Sequence, residues 1–257
     1  MPRSDRLTPA PAPPVSIITV TRDGLFFSRL LVERVRAMTH DRDYEILVVD
    51  RGSRDGSREW MARQPDVRLV RYPRWRTLDH GHAQSIERAL RLARHERIVV
   101  LDSDAHPVSP QWLVESADRL DGHDRLAGAE FVGRHVGNPH GWYIHPHFMA
   151  FFAADYGRLI TLRKRQGHDT DTGEEATVRV LAAGLGIVRH TTAFASEFAV
   201  GHPRVPTVSG GVFHAWYVTR LEHHEKQVVR ETAGLVSAAS YLEPLRARLR
   251  ERYALTY

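Results

Sequence analysis

The stretch Arg97-Ile98-Val99-Val100-Leu101-Asp102-Ser103-Asp104-Ala105 decides the fold. Its hydrophobic run reads as a buried parallel strand that ends in two carboxylates one residue apart. Side chains alternate along a strand, and at the frayed end an Asp-x-Asp turns both acids the same way. Two neighbouring carboxylates repel unless a cation or a proton sits between them. The ends of strands are also where open α/β sheets bind ligands. A divalent metal on a phosphorylated ligand fits that chemistry. A polar turn after a strand is the other reading, since Asp and Ser are common in turns.

The same grammar repeats upstream. Val15–Gly24 is a β-branched run closing on polar residues and glycine, and Tyr44–Ser57 is a second buried strand that ends at Asp50 and runs into a Gly/Ser-rich loop. Val67–Tyr72 reads as a third strand. Between His80 and Glu96, apolar residues at Ala83, Ile86, Ala89, Leu90 and Ala93 follow a helical period. Strands alternating with helices predict a parallel sheet with right-handed crossovers.

Taken in order, "VSIITVTRDG", "EILVVDRGSRDGS", a glycine-led helix and "RIVVLDSDAHPVSPQWL" resemble the family 2 glycosyltransferases of the GT-A fold. The likeness is specific from Val15 to Leu113 and readable to about Leu221. It implies an α/β fold with a Rossmann-like sheet sandwiched by helices and a helical C-terminal extension. It also implies a nucleoside diphosphate sugar as donor and Mn2+ or Mg2+ held by the Asp-x-Asp against the diphosphate. The family usually ends its first strand in Thr-Tyr-Asn or Thr-Arg-Asn; Thr21-Arg22-Asp23 has an acid where the amide stands. The expected organisation is a disordered Pro/Ala tail over 1–14, a donor-binding half over 15–113, an acceptor-binding half over 114–222 and C-terminal helices over 223–257.

Composition narrows the class. A chain of 257 residues with 42% hydrophobic content suits one large α/β domain, alone or with an appended lobe. The absence of cysteine excludes disulfides, thiol catalysis and thiolate metal sites. "MPRSDRLTPAPAPP" lacks the apolar core of a signal peptide, and no stretch approaches the roughly 20 apolar residues of a membrane span. A cytoplasmic enzyme with a soluble acceptor is therefore expected. The net charge is +5, and Lys164 and Lys226 are the only lysines. This arginine bias suits a GC-rich, actinobacterial-type genome, and with it natural-product or cell-surface glycan biosynthesis. Arginines are spread beside Glu and Asp along amphipathic helices, so no nucleic-acid partner is expected. The basic-aromatic run Arg71–His82 fits a loop near an anionic donor.

The resemblance assigns roles in the donor half. Thr21 presents its hydroxyl and backbone to the nucleoside, with Arg22 and Asp23 beside it. Asp50 accepts hydrogen bonds from the base or ribose, or else caps the loop Arg51–Ser57. Arg71 contacts the base or diphosphate. Asp102 faces the ribose or a metal-bound water, Ser103 lies between the acids, and Asp104 ligates the metal. Such a cation prefers six oxygen-type ligands and keeps water and phosphate oxygens among them. Many GT-A enzymes add a distant His, and His214, after Gly210-Gly211, matches that position.

In the acceptor half, "HPVSPQWLVESADRL" turns at Pro107 and Pro110 and then enters a helix. Tyr143–Tyr156 resembles the family's central strand. His145 and His147 share a face of it, as a metal pair, substrate contacts or core histidines; with Trp216 they are the acceptor-binding candidates. From Gly173 a helix is predicted with Ala176, Val180 and Ala183 on one face, ended by Gly184 and Gly186. The family's base lies in Glu-Asp-x-x-x-x-x-Arg-x-x-x-x-Gly. Aligned on Arg179 and Gly184, that acid pair falls on Thr172 and Gly173, so Asp171 is the first candidate, Glu174 and Glu175 the next, and Asp169 a distant one. Helix capping, worth roughly 0.5–2 kcal/mol, is the alternative role for these acids. The C-terminal helices are expected to pack on the domain or on a second copy of the chain.

The reaction implied is metal-dependent, inverting sugar transfer to an acceptor hydroxyl or amine. Two rivals are a sugar nucleotidyltransferase, which normally opens with a Gly-rich loop carrying Arg and Lys, and a non-catalytic nucleotide-sugar-binding module.

Overall fold

A computed structural model describes residues 11–72, 78–133, 138–163, 171–200, 205–216, 218–232 and 236–257. Asp169 and most of the 1–14 tail lie outside the described residues. The first half alternates as read: β1 (Val15–Thr21), α1 (Leu25–Met38), β2 (Tyr44–Asp50), α2 (Ser57–Met61), β3 (Val67–Arg71), α3 (Leu78–Leu90) and β4 (Arg97–Asp102). Then follow β5 (Ala105–Pro107), β6 (Asp124–Val132), β7 (Trp142–Phe152), α4 (Glu174–Ala182), β8 (Gly186–His190), β9 (Ala193–Phe194), β10 (Thr207–Ser209), β11 (Val212–His214), α5 (Val218–Glu231) and α6 (Glu243–Tyr253).

Seven strands form one sheet in the order β3-β2-β1-β4-β7-β6-β8. β1, β2, β3 and β4 are parallel, and β7 enters antiparallel between β4 and β6. β1 is buried along its whole length, which is why it reads as an unbroken apolar run. Each buried Val, Ile or Leu on these strands contributes roughly 1.5–3 kcal/mol by leaving water. One core cluster lies on each face: Ile17, Val48 and Leu101 with Leu31 and Val35 of α1 on one, and Ile18, Leu47 and Val100 with Ile86 and Ala89 of α3 on the other.

A second, four-stranded sheet runs β5-β11-β10-β9. It pairs Ala105 with His214 and so brings a distant segment beside the end of β4.

The segment after Pro110 is not the α-helix expected. Residues 110–116 form turns, followed by a single 3-10 turn at Ala117–Arg119. Trp112, Leu113, Ala117 and Leu120 plug the core, and the Trp112 indole donates to Thr39 Oγ1 at 3.2 Å. Helical spacing there serves a plug tethered at its start by the β5–β11 pairing. In α4 the buried face is Ala176, Thr177 and Val180, while Ala183 is exposed past the helix end.

α5 begins at Val218, so the expected 222/223 division falls inside a helix. Among the described residues, buried apolar side chains of the C-terminal region pack within the chain. Tyr241, Leu245 and Leu249 join Phe26, Phe27 and Leu30 of α1 in a third core cluster.

Candidate active site

A cavity of about 490 Å3 opens at the carboxyl ends of β1, β2 and β4. Thr21 and Arg22 line it after β1, Arg51 after β2, His82 from α3 and Asp102, Ser103 and Asp104 after β4. The other wall is His145 of β7, Asp171 ahead of α4, and His214 and Trp216 at the end of β11.

Asp102, Asp104 and His214 offer ligand atoms that all lie within 4.8 Å of one another. His214 Nε2 stands 3.2 Å from Asp104 Oδ1 and 3.8 Å from Asp102 Oδ2. The small sheet produces this approach: His214 is paired opposite Ala105, and the Ala215 N–H donates to the Asp104 carbonyl at 3.1 Å. Asp104 and His214 are buried and Asp102 half-buried. Two carboxylate oxygens and an imidazole nitrogen form a mixed set that suits Mn2+, and the cation would relieve the repulsion between the acids. His82 Nε2 lies 3.7 Å from Asp102 Oδ1, and burial holds its pKa below the ordinary histidine value.

Behind His214 lies a stack of histidines. The His147 ring is parallel to it at 4.2 Å, and His145 Nδ1 sits 2.9 Å from His147 Nδ1. His145 Nδ1 also accepts the His147 backbone N–H at 3.2 Å, so that nitrogen carries no proton. The neutral ring therefore holds its hydrogen on Nε2, which is 3.9 Å from Asp171 Oδ2. Burial lowers the His145 pKa to about 4 and that of His147 well below the ordinary value.

Asp171 faces this group. Its Oδ2 accepts the Tyr143 hydroxyl at 2.7 Å, and its Oδ1 accepts the Thr172 N–H at 2.7 Å. Burial and the Asp171 charge push the Tyr143 pKa up, so the phenol stays a donor. The other two acids turn elsewhere. Glu174 is buried, accepts the Asp171 N–H at 2.6 Å and takes a hydrogen bond from Asn138. Glu175 pairs with Arg179 at 2.8 Å. Of the three described candidates, only Asp171 lines the cavity. Gly173, at φ +95°, makes the turn before α4, and a Cβ there would stand 2.3 Å from the Ile144 carbonyl oxygen.

Other expected residues fall in different places. Thr21 lines the wall, its hydroxyl 2.8 Å from Ser28 Oγ. Asp23 adopts φ +49° and accepts the Arg54 N–H at 2.6 Å, so it shapes the loop and does not line the cavity. Asp50 is buried and accepts the N–H groups of Gly52 (3.2 Å) and Ser53 (3.0 Å), which is the loop-capping role. Arg71 is exposed at the end of β3, outside the cavity, because its position on the strand turns it to solvent. His147 is buried behind His145 and does not line the cavity. Trp216, at φ +62°, packs 4.2 Å from His214 and donates to Thr207 Oγ1 at 2.7 Å. Arg51, His82 and Tyr143 are functional-site neighbours that sequence reading passed over. Tyr143 stands two residues before His145, hence on the same strand face.

The glycosyl transferase family 2 profile matches residues 16–182. The chain belongs to this family. The fold is correspondingly GT-A, and the protein is a glycosyltransferase at the level the family defines. Among solved structures it is similar to the mannosyltransferase PcManGT from Pyrobaculum calidifontis in complex with GDP-Man and Mn2+: 19% identity over 95% of this chain and 76% of that one, TM-score 0.54. It is also similar to GalNAc-T7 with UDP, GalNAc and Mn2+: 12% identity over 69% of this chain and 42% of that one, TM-score 0.55. No curated protein matches the sequence. Asp171 lies inside the family 2 match and His214 beyond it. Among the described residues, no helix is long and apolar enough to cross a membrane.

Proposed function

We propose that this family 2 enzyme is a metal-dependent, inverting glycosyltransferase using a nucleoside diphosphate sugar. The observation that carries the reading is the convergence, in one cavity, of Asp102, Asp104 and His214 with Asp171. Asp102, Asp104 and His214 would hold Mn2+ or Mg2+, which when bound stabilises negative charge on the diphosphate as it leaves. Mn2+ accompanies the nucleotide ligands of both similar structures named above.

Asp171 acts as general base. It takes the proton of an acceptor hydroxyl or amine while that atom bonds to C1 of the sugar. The bond from C1 to the diphosphate oxygen breaks on the opposite face, and the nucleoside diphosphate departs with the electron pair. A single displacement inverts C1 and requires no enzyme nucleophile. Tyr143 and Thr172 N–H hold the carboxylate, and His145 Nε2–H faces it. Trp216 and His145 form the acceptor wall.

The test is calorimetric titration of wild type and Asp104→Asn with GDP and UDP, with Mn2+ and with EDTA. In the variant, affinity with Mn2+ should fall to the EDTA level while the melting temperature holds. Unchanged affinity removes the metal site. A sugar nucleotidyltransferase would join a sugar 1-phosphate to a nucleoside triphosphate and release pyrophosphate, whereas a glycosyltransferase releases a free nucleoside diphosphate, so product analysis separates that rival. A binding module would give neither product.

A further inference from the structure

We propose that Arg51 reads the donor's base and selects guanine. This rests on the glycosyl-donor reading above and goes further in naming the nucleotide.

Position along the sheet locates the base. The strand order β2-β1-β4-β7 places Arg51, Thr21, Asp102 and His145 along one edge of the sheet in that sequence. The metal-site acids take the diphosphate at β4, and Asp171 takes the acceptor beside β7. The nucleoside then extends over β1 and β2, toward Arg51.

Arg51 is built into that end. Its N–H donates to the Thr21 carbonyl at 3.0 Å, which fixes the main chain. Its guanidinium lies against Gly81, where a Cβ would stand 2.2 Å from Nη2 and 2.7 Å from Cζ. A side chain at position 81 would have to push the guanidinium out of this position. No carboxylate lies within ion-pairing distance of Arg51 among the described residues, and its buried Nε has no hydrogen-bond partner. The neighbouring cation, Arg22, adds repulsion, and burial opposes the charge. The nearby acids are turned elsewhere: Asp50 accepts the loop N–H groups, and Asp102 and Asp104 sit beside His214. A half-buried cation without a counter-group is costly unless a ligand supplies acceptors.

A guanidinium donates and never accepts, and its planar fork is matched by two adjacent acceptors. Guanine offers O6 and N7 side by side. Uracil and thymine separate their oxygens with an N3–H donor, and adenine sets an amino donor beside N7, so each meets the fork at one point. Cytosine's N3 and O2 also sit side by side, so CDP is titrated with the others, and CDP bound as tightly as GDP overturns the choice of guanine. Phosphate oxygens also match the fork, and the experiment separates the two sources.

Wild type, Arg51→Gln and Gly81→Ala are titrated in Mn2+ with GDP, UDP, CDP and ADP, and with inorganic pyrophosphate as a base-free probe. Wild type should bind GDP at least about tenfold tighter than UDP or ADP. Arg51→Gln should lose roughly ten- to a hundredfold in GDP affinity, the worth of one bidentate base contact, with UDP and pyrophosphate little changed. Gly81→Ala, which displaces the guanidinium, should move in the same direction. The apo melting temperature of Arg51→Gln should hold or rise, because an uncompensated charge has gone. Equal wild-type affinity for GDP and UDP overturns the proposal and leaves the glycosyltransferase reading intact. Parallel losses for GDP, UDP and pyrophosphate in Arg51→Gln also overturn it, making Arg51 a phosphate ligand. No binding of any nucleoside diphosphate by wild type sinks both readings.

Discussion

Asp171 and Glu174 stand three residues apart and do different work. Asp171 lines the cavity, whereas Glu174 is buried and accepts the Asp171 N–H. Asp171→Asn should lower turnover by roughly 10²–10⁴-fold, the usual contribution of a general base, with nucleoside diphosphate affinity retained. Asparagine keeps the size and an acceptor oxygen, so the start of α4 should survive. Glu175→Gln, which breaks only a partly exposed pair with Arg179, should stay within a few-fold of wild type. Steady-state kinetics of the two variants decides the matter. An inactive Glu175→Gln beside an active Asp171→Asn would move the base by one helical turn.

At the scale of elements, the loop after β2 is the sensitive part. Asp50 accepts two of its N–H groups, and the loop carries Arg51. Asp50→Ala should cost about 1–3 kcal/mol of stability by orphaning those donors, read from urea unfolding. GDP affinity should fall with it, because Arg51 loses its footing. The parallel strands around this loop were legible in sequence because strands buried on both faces are plain apolar runs bounded by turn residues. The Asp-x-Asp was legible because acids at a strand end stand out against such a run. The β5–β11 pairing was not, since three-residue strands far apart in sequence carry no periodicity. Arg51, His82 and Tyr143 escaped for a related reason: each gains its place from a neighbouring strand or helix, and nothing local marks it. The segment after Pro110 misled because Trp112, Leu113, Ala117 and Leu120 have helical spacing but pack as a plug.

Across the whole molecule, buried histidines tie stability to pH. His190 stacks on Phe148, and its Nε2 is buried without a partner. Burial pulls its pKa below the ordinary 6.5. The unfolded chain therefore takes up a proton first as pH falls, so this share of stability is complete above about 6.5 and is lost below it. Apo melting temperature should drop from pH 6.5 toward 5, and His190→Phe should make that slope shallower. An equal slope in the variant would assign the pH dependence to other groups.

The docking of the C-terminal segment onto α1 has a consequence for how the molecule is made. Tyr257 bonds Glu33 across a sequence separation of 224, and His214 joins Asp104 from beyond the family 2 region. Contacts so distant in sequence form late, after the local strand–helix units. During synthesis, where chains order from the N-terminus, the two aspartates leave the ribosome well before the imidazole that joins them. A nascent chain can thus assemble its parallel sheet while still unable to close the candidate cation site. The candidate site is completed only once that later segment has been made and the helices that cover α1 can dock.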